Sequence, residues 1–331
     1  MPAGPSTSVA MCTYNGERFL SRQLESIARQ TLLPSELIVR DDRSTDSSPD
    51  IIRAFAAQAP FRVRLEINER RIGSTKNFEA AIGDCSGELI FLADQDDLWR
   101  PQKIAAMLGL FDSDPAIDCL FSDAQIVDDQ DRATGMTLWQ HIGFTPQQQS
   151  DVHAGRAFER LVIRNVATGA TMAFRSRCRA LVLPIPEAHA VVHDRWIALL
   201  VAAAGRIDCV AEPLIDYRHY HAQQIGPGPR AGSLGARIHD IGETGPRLFR
   251  EWAGQLDLVL ERLHDRDVVL GESRSILIRD RIQHLVTRAE MPASFTRRLR
   301  PVANELASGR YHRHSNGLLS LFKDVFRAYP R

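Results

Sequence analysis

The first hundred residues repeat one pattern, and it leaves few folds open. A short apolar run stops abruptly in polar, turn-forming residues, and a stretch with apolar side chains at helical spacing follows. Thr7 to Cys12 stops at Thr13-Tyr14-Asn15-Gly16, and Phe19, Leu20, Leu24, Ile27 and Ala28 follow. Glu36 to Arg40, centred on Leu37-Ile38-Val39, stops at Asp41-Asp42-Arg43-Ser44-Thr45-Asp46, and Ile51, Ile52, Phe55 and Ala56 follow. Phe61 to Ile67 alternates apolar and charged residues, as a half-exposed strand does. After a polar turn from Asn68 to Gly73 and a helix over Thr75 to Ile82, Glu88 to Ala93 runs into Asp94-Gln95-Asp96-Asp97. Apolar runs this short are buried strands rather than helices. Strands alternating with helices build βαβ units, so the expected fold class is α/β with a mostly parallel central sheet flanked by helices. Sheets of this kind bind ligands outside the carboxyl ends of their strands, which is where the polar loops fall.

Further along, Pro101 opens a helix through Phe111, and Cys119 to Val127 reads as a strand closing in Asp128-Asp129. The Gln-rich stretch from Thr134 to Gly155 has weak periodicity and reads as a loop. Phe158, Leu161 and Val162 predict a short helix, Gly169 to Phe174 a strand entered through glycine, and Ile207 to Tyr217 extended chain. His193-Asp194-Arg195-Trp196 precedes a strongly apolar helix, Ile197 to Ala204. Gly226-Pro227-Gly228-Pro229 marks a domain edge, dividing residues 1–226 from a helical C-terminal region, 227–331. There Leu248, Trp252, Leu256, Leu258, Val259 and Leu263 suggest an amphipathic helix.

Forty-one basic and 41 acidic residues cancel, which removes bulk attraction to nucleic acid as an explanation of the chain. The five cysteines, Cys12, Cys85, Cys119, Cys178 and Cys209, are scattered and form no C-x-x-C, so neither a disulfide framework nor a zinc site is expected. No secretory signal opens the sequence, and the Ile197 to Ala204 run is too short to span a bilayer; the expected location is cytoplasmic.

Chemistry concentrates in the acidic loop. Three carboxylates within four positions resist joint ionisation unless something positive neutralises them. Hard oxygen ligands on a loop suit Mg²⁺ or Mn²⁺, bridging to substrate phosphates. Alone, such a loop also reads as a solvated acidic turn. Tyr14 offers a ring for a planar base to stack on, or a rim residue. Asp42 can accept a hydrogen bond from a base or ribose, or cap a helix. The chain has neither G-x-G-x-x-G after its first strand nor a P-loop. A metal at Asp94 and Asp96 would therefore hold the phosphates, which implies a diphosphate leaving group.

Taken in order, the motifs Thr13-Tyr14-Asn15-Gly16, Asp41 to Asp46, Asn68 with Gly73 and Asn77, Asp94-Gln95-Asp96-Asp97 with Trp99 and Pro101, Thr168-Gly169-Ala170-Thr171 and His193-Asp194-Arg195-Trp196 resemble those of family 2 glycosyltransferases over about residues 7–226. Within that family the chain is most similar to bacterial rhamnosyltransferase-type enzymes of surface polysaccharide assembly. The resemblance implies a GT-A fold and an inverting, metal-dependent transfer of a sugar, rhamnose being the candidate. The donor would be a nucleotide diphosphate sugar built on dTDP or UDP, and the acceptor a saccharide or a lipid-linked one. It implies donor contacts from Thr13, Tyr14, Asn15, Asp42, Asn77 and Asp94, with Asp42 facing the base and Asp94 the ribose. Asp96 would bind the metal and Asp194 would be the catalytic base. Arg195 and Trp196 would meet the acceptor, Trp196 as the floor for a sugar ring. From its residues alone, Asp194 reads equally as a helix cap. Related enzymes often carry Tyr-Arg-x-His where this chain has Tyr217-Arg218-His219-Tyr220-His221, which leaves His219 and His221 as alternative metal ligands.

The C-terminal region carries little of this signal. Its basic and apolar stretches, such as Leu318 to Lys323, read as helices packed on the catalytic domain or as a face lying on the inner side of the cytoplasmic membrane. A sugar nucleotidyltransferase and a non-catalytic nucleotide-sugar-binding module are the competing readings. The first would want a basic, glycine-rich loop after the first strand; the second would not require Asp94, Asp96 and Asp194 together.

Overall fold

A computed structural model describes residues 5–219 and 245–326. In the N-terminal part, β1 (Thr7–Thr13), α1 (Glu17–Ala28), β2 (Glu36–Asp41), α2 (Ser48–Ala56), β3 (Arg62–Ile67), α3 (Ser74–Asp84) and β4 (Leu89–Ala93) follow one another in the expected alternation. β3–β2–β1–β4 is parallel throughout. The side chains of each strand divide between two layers. Val9, Met11, Leu37 and Val39 pack with α1 and α2, and Ala10, Cys12 and Ile38 pack with α3. This alternation is the pleat of a strand buried on both faces.

Beyond β4 the sheet becomes mixed. Its order is β3-β2-β1-β4-β8-β6-β9-β5, with β7 beside β6. Here β5 is Leu98–Trp99, β6 Ile117–Val127, β7 Ala133–Thr137, β8 Met172–Arg175 and β9 Arg206–Arg218. β8 runs antiparallel to both β4 and β6, while β9 is parallel to β6. α4 (Lys103–Ser113) starts two residues later than Pro101 suggested, because Leu98–Trp99 first pairs with Ile215 and Asp216 of β9.

The stretch read as a loop, Thr134 to Gly155, is ordered instead. β7 leads into α5 (Leu138–Ile142) and α6 (Pro146–His153), and both helices open on capping boxes, Thr137 with Gln140 and Thr145 with Gln148. Trp139 and Phe144 are buried against each other and against Phe121. Helices this short have no visible period, so packing and caps, not propensity, hold them.

α7 (Ala157–Ile163), α8 (Arg179–Val182) and α9 (His193–Ala204) complete this part. The expected edge at Gly226 to Pro229 lies outside the described residues. After it come α10 (Pro246–Asp265), α11 (Glu272–Ala289), α12 (Phe295–Ala307), α13 (Arg310–His314) and α14 (Leu318–Phe326). Phe249, Ala253, Leu256, Val259 and Leu263 of α10 and Ile278 and Leu285 of α11 join the same apolar cluster as α3, α7 and α9. All five cysteines are buried and unbonded. Among the described residues no helix is long and apolar enough to cross a membrane.

Candidate functional site

The connections from β1 lead through β2 to β3 on one side, while β4 lies on the other side of β1. The carboxyl ends of β1 and β4 therefore flank a point where strand order reverses, the usual position of a ligand crevice. The Tyr14–Gly16 loop and the Asp94–Asp97 loop meet there. Gln95 ties them: its Oε1 accepts from Tyr14 N at 2.8 Å, and its Nε2 donates to Tyr14 O at 3.1 Å. A Cβ on Gly16 would lie 2.3 Å from Gln95 Oε1, so a larger residue there would push aside the side chain that ties the loops. Asn15, at φ 47°, accepts at Oδ1 from Thr45 N at 2.9 Å, which ties in the β2 loop.

Several residues expected to touch the donor serve to build this edge. Thr13 Oγ1 donates to buried Asp41 Oδ2 at 2.7 Å. Asn77 is buried, donates to Arg40 O at 2.8 Å and accepts from Asn68 Nδ2 at 2.8 Å. Asp42 is buried as well and accepts from Asn68 Nδ2 at 3.0 Å, Ile72 N at 2.7 Å and Gly73 N at 2.8 Å. With three of about four acceptor sites occupied, Asp42 shapes the 68–73 loop and keeps one lone pair for a ligand. That loop places the Arg71 guanidinium 4.0 Å from the centre of the Tyr14 ring, so one face of the expected stacking platform already carries a cation.

The acidic residues converge. Burial, then the charges of Asp96 and Asp194, push the Asp94 carboxyl up to about 7. Burial and the charges of Asp96 and Asp94 push Asp97 up as well. Lys103 is buried, donates to Ala170 O at 2.7 Å and lies 3.7 Å from the Trp99 ring centre; burial lowers it to about 7 against the pull of Asp97 and Asp94. Asp97 Oδ1 accepts from Arg218 N at 3.0 Å, while its buried Oδ2 has no hydrogen-bond partner among the described residues. Arg218 also donates through Nε to Asp96 O at 2.8 Å. The end of β9 thus supports the acidic loop from behind. His219 follows at the surface with its ring 6.3 Å from that of His141; His221 lies outside the described residues.

Asp194 comes to the site from α9. Val192, not Asp194, occupies the cap position. The Asp194 carboxylate accepts from Asn165 Nδ2 at 3.2 Å and from Gly169 N at 3.3 Å, and burial raises it to about 6. Next to it, His193 is buried and stacked on Phe78 with ring centres 4.0 Å apart; burial lowers it to about 3, so it is neutral. Arg195 donates to Gln255 Oε1 of α10 at 3.1 Å. Gln255 Nε2 in turn donates to His189 O at 2.8 Å and Ala190 O at 3.2 Å, two residues with left-handed backbone just before α9. Trp196 does not fit the role of sugar floor. It is 2% exposed, and its Nε1 donates to Val182 O at 2.7 Å. Two residues along a helix turn the side chain about 200°, so Trp196 faces the core when Asp194 faces the crevice.

Arg71, Gln95, Lys103, Asn165 and Gln255 were not among the expected site residues. Gln95 lies inside the acidic motif and could have been suspected. The others come from distant segments, and nothing in their local sequence announces a partner.

Residues 8–157 match the family model "Glycosyl transferase family 2". Over 224 residues the chain is 27% identical to an uncharacterised glycosyltransferase of Nostoc sp., covering 65% of each chain. It is 34% identical to the dTDP-rhamnosyl transferase RfbG of Shigella flexneri over 33% of this chain and 36% of that protein. The alignments thus span less than two thirds of either relative. Among solved structures, Staphylococcus aureus TarS 1-349 in complex with UDP-GlcNAc superposes with a TM-score of 0.61 at 16% identity, covering 97% of this chain and 88% of that one. A mannosyltransferase of Pyrobaculum calidifontis in complex with GDP-Man and Mn²⁺ gives 0.53 at 17% identity, covering 98% and 84%. These likenesses show the fold, which is of the GT-A type.

Proposed function

We propose that this chain is a glycosyltransferase of family 2, moving a sugar from a nucleotide diphosphate sugar to an acceptor hydroxyl with inversion. The observation that carries the reading is the meeting of Asp94, Asp96 and Asp194, from two distant segments, in one set of mutually repelling carboxylates. A nucleotide-sugar crevice explains that arrangement: one wall must tolerate a diphosphate and the other must take a proton.

The residues fit a divalent ion. Burial and the neighbouring charges hold the Asp94 carboxyl at about 7, and a cation beside it would ionise it fully. Asp96, with Asp94 beside it and His219 or His221 as a further ligand, would hold Mg²⁺ or Mn²⁺; the ion would offset charge on the departing diphosphate. Among the described residues no third ligand group closes a coordination sphere around Asp94 and Asp96.

The chain's own residues do the rest. Tyr14 and Asp42, with Thr13, Asn15 and Asn77 bracing their loops, receive the base and ribose. Asp194 accepts the proton of the acceptor hydroxyl as that oxygen attacks the anomeric carbon. Asn165 and the Gly169 amide hold the carboxylate in place. Arg195, fixed by Gln255, stands beside the acceptor's approach. Rhamnose from dTDP is the favoured donor on the strength of the RfbG alignment, UDP sugars come second, and a saccharide or lipid-linked saccharide is the acceptor.

Incubating the protein with dTDP-rhamnose and UDP sugars and measuring free nucleoside diphosphate tests this reading. Release that needs an acceptor and a divalent ion, and disappears in Asp96→Ala, is expected. Full activity in chelator, or no release from any nucleotide sugar, contradicts it.

A further inference from the structure

Helix α6 ends beside an open edge of β9. One edge of β9 pairs with β6, and β5 meets the other only at Ile215 and Asp216, so among the described residues no strand covers that edge at Asp208 and Cys209. His153, the last residue of α6, brings its ring there. Its Nδ1 lies 2.6 Å from Asp208 Oδ1 and its Nε2 3.9 Å from Cys209 Sγ. Asp208 and Cys209 are buried, whereas about half of the His153 side chain is open to water. An imidazole, a carboxylate and a thiol therefore meet at the surface, and one donor atom from each lies within 4.8 Å of the other two.

The carboxylate is already aimed. Arg206 Nη2 holds Asp208 Oδ2 at 3.1 Å, and Oδ1 accepts from Cys209 N at 2.8 Å, which leaves the second lone pair of Oδ1 for the His153 side. Zn²⁺ bonds of about 2.0–2.3 Å to nitrogen, oxygen and sulfur set neighbouring donor atoms about 3.3–3.6 Å apart at tetrahedral angles. A small turn of the half-exposed His153 ring opens its contact with Asp208 and closes the one with Cys209 to that spacing. The same three groups could also activate a thiol nucleophile. Against that, the group facing Cys209 Sγ at 4.0 Å is the Gln149 carbonyl, an acceptor and not the amide donor that an oxyanion needs.

We propose that His153, Asp208 and Cys209 form a Zn²⁺ site that clamps α6 to β9, with water in the fourth position. On binding, the Cys209 thiol gives its proton to solvent, and the thiolate and carboxylate together balance the charge of the ion. A sulfur and nitrogen donor set selects Zn²⁺ over Mg²⁺, the reverse of the oxygen-rich crevice. Cysteine spacing does not announce the site, because its nitrogen donor lies 55 positions away from Asp208. The clamp secures a helix otherwise held by its capping box and packing, and it does not depend on the reaction proposed for the crevice.

The test uses the full chain stripped of metal by a chelator, titrated with Zn²⁺ and with Co²⁺ as its spectroscopic substitute in excess Mg²⁺. One equivalent of Zn²⁺ should bind and raise the melting temperature, and Co²⁺ should give a thiolate charge-transfer band in the near ultraviolet. His153→Ala should weaken Zn²⁺ binding by about a hundredfold or more, Cys209→Ser should abolish the Co²⁺ band, and Asp96→Ala should change neither. Melts of the stripped variants separate lost binding from lost folding; His153 is half exposed, so His153→Ala should melt close to the parent and decides the matter if Cys209→Ser does not fold. Absence of the band, a band that survives Cys209→Ser, or Zn²⁺ binding that His153→Ala leaves unchanged overturns the proposal. Binding that only Asp96→Ala removes would assign the ion to the crevice and also overturn it. Because the readouts are binding and absorbance, their outcome is separate from whether the protein transfers sugars.

Discussion

Asp194 is under two opposed demands. Burial favours its protonated form and raises it to about 6, while a general base must be ionised at working pH. A base poised there gives activity that climbs as pH rises through about 6, which a pH–rate profile on saturating donor would reveal. The same shift acts on stability. The folded carboxyl lies above its ordinary value of 3.8, so the protonated residue suits the fold, and that contribution is lost as pH rises from below 3.8 through about 6. Asp194→Asn should therefore melt higher than the parent at neutral pH, by the order of 1–2 kcal/mol, with the gap closing below about pH 4. Thermal melts at both pH values check this; a variant destabilised at neutral pH would mean that the carboxylate is a structural keystone. At this scale the sequence was a partial guide. The crowding of Asp94, Asp96 and Asp97 was visible in the sequence, whereas Asp194, which from its own residues reads equally as a helix cap, was singled out only by the family resemblance. The bracing roles of Thr13, Asn77 and Asp42 were not visible, because each depends on a partner in another loop, and Trp196 was misplaced for want of a helix phase.

Among the elements, α10 has an effect beyond its own packing. Gln255 joins Arg195 to the carbonyls of His189 and Ala190, so a C-terminal helix holds the turn that presents Asp194. Gln255→Leu keeps the side-chain size and removes all three hydrogen bonds. Turnover should fall about tenfold or more, as small displacements of a catalytic group do, with donor affinity retained. Titration of donor binding beside steady-state rates checks it; equal rates would show that the turn holds its own shape. The early βαβ units were legible because buried strands and amphipathic helices have distinct periods. Residues 134–155 were not, although Thr137 with Gln140 and Thr145 with Gln148 carry a visible capping signature. A capping box without an apolar period behind it was too little to outweigh the glutamines.

For the molecule as a whole, the sheet and the first two C-terminal helices share one apolar cluster, in which Phe249, Leu256 and Leu285 pack with the Ile197–Ala203 face of α9. A chain ended at residue 226 should lose that cover and unfold non-cooperatively or aggregate, which circular dichroism melts would register; a soluble, cooperative fragment would mean that the C-terminal helices are an appendage. What no residue pattern could supply was which side of α14 faces water, since an amphipathic helix is legible in sequence but its orientation is set by Arg288 and Asp324, 36 positions apart. In the proposed reaction the carboxylates gathered at the crevice divide the work, with the β4 loop holding the donor and Asp194 taking the acceptor's proton. Single-turnover transfer by Asp194→Asn, with donor affinity and melting temperature measured on the same preparation, tests it most directly. Affinity and folding should be retained while transfer falls by about 10²–10⁴. Transfer at the parent rate would contradict the account.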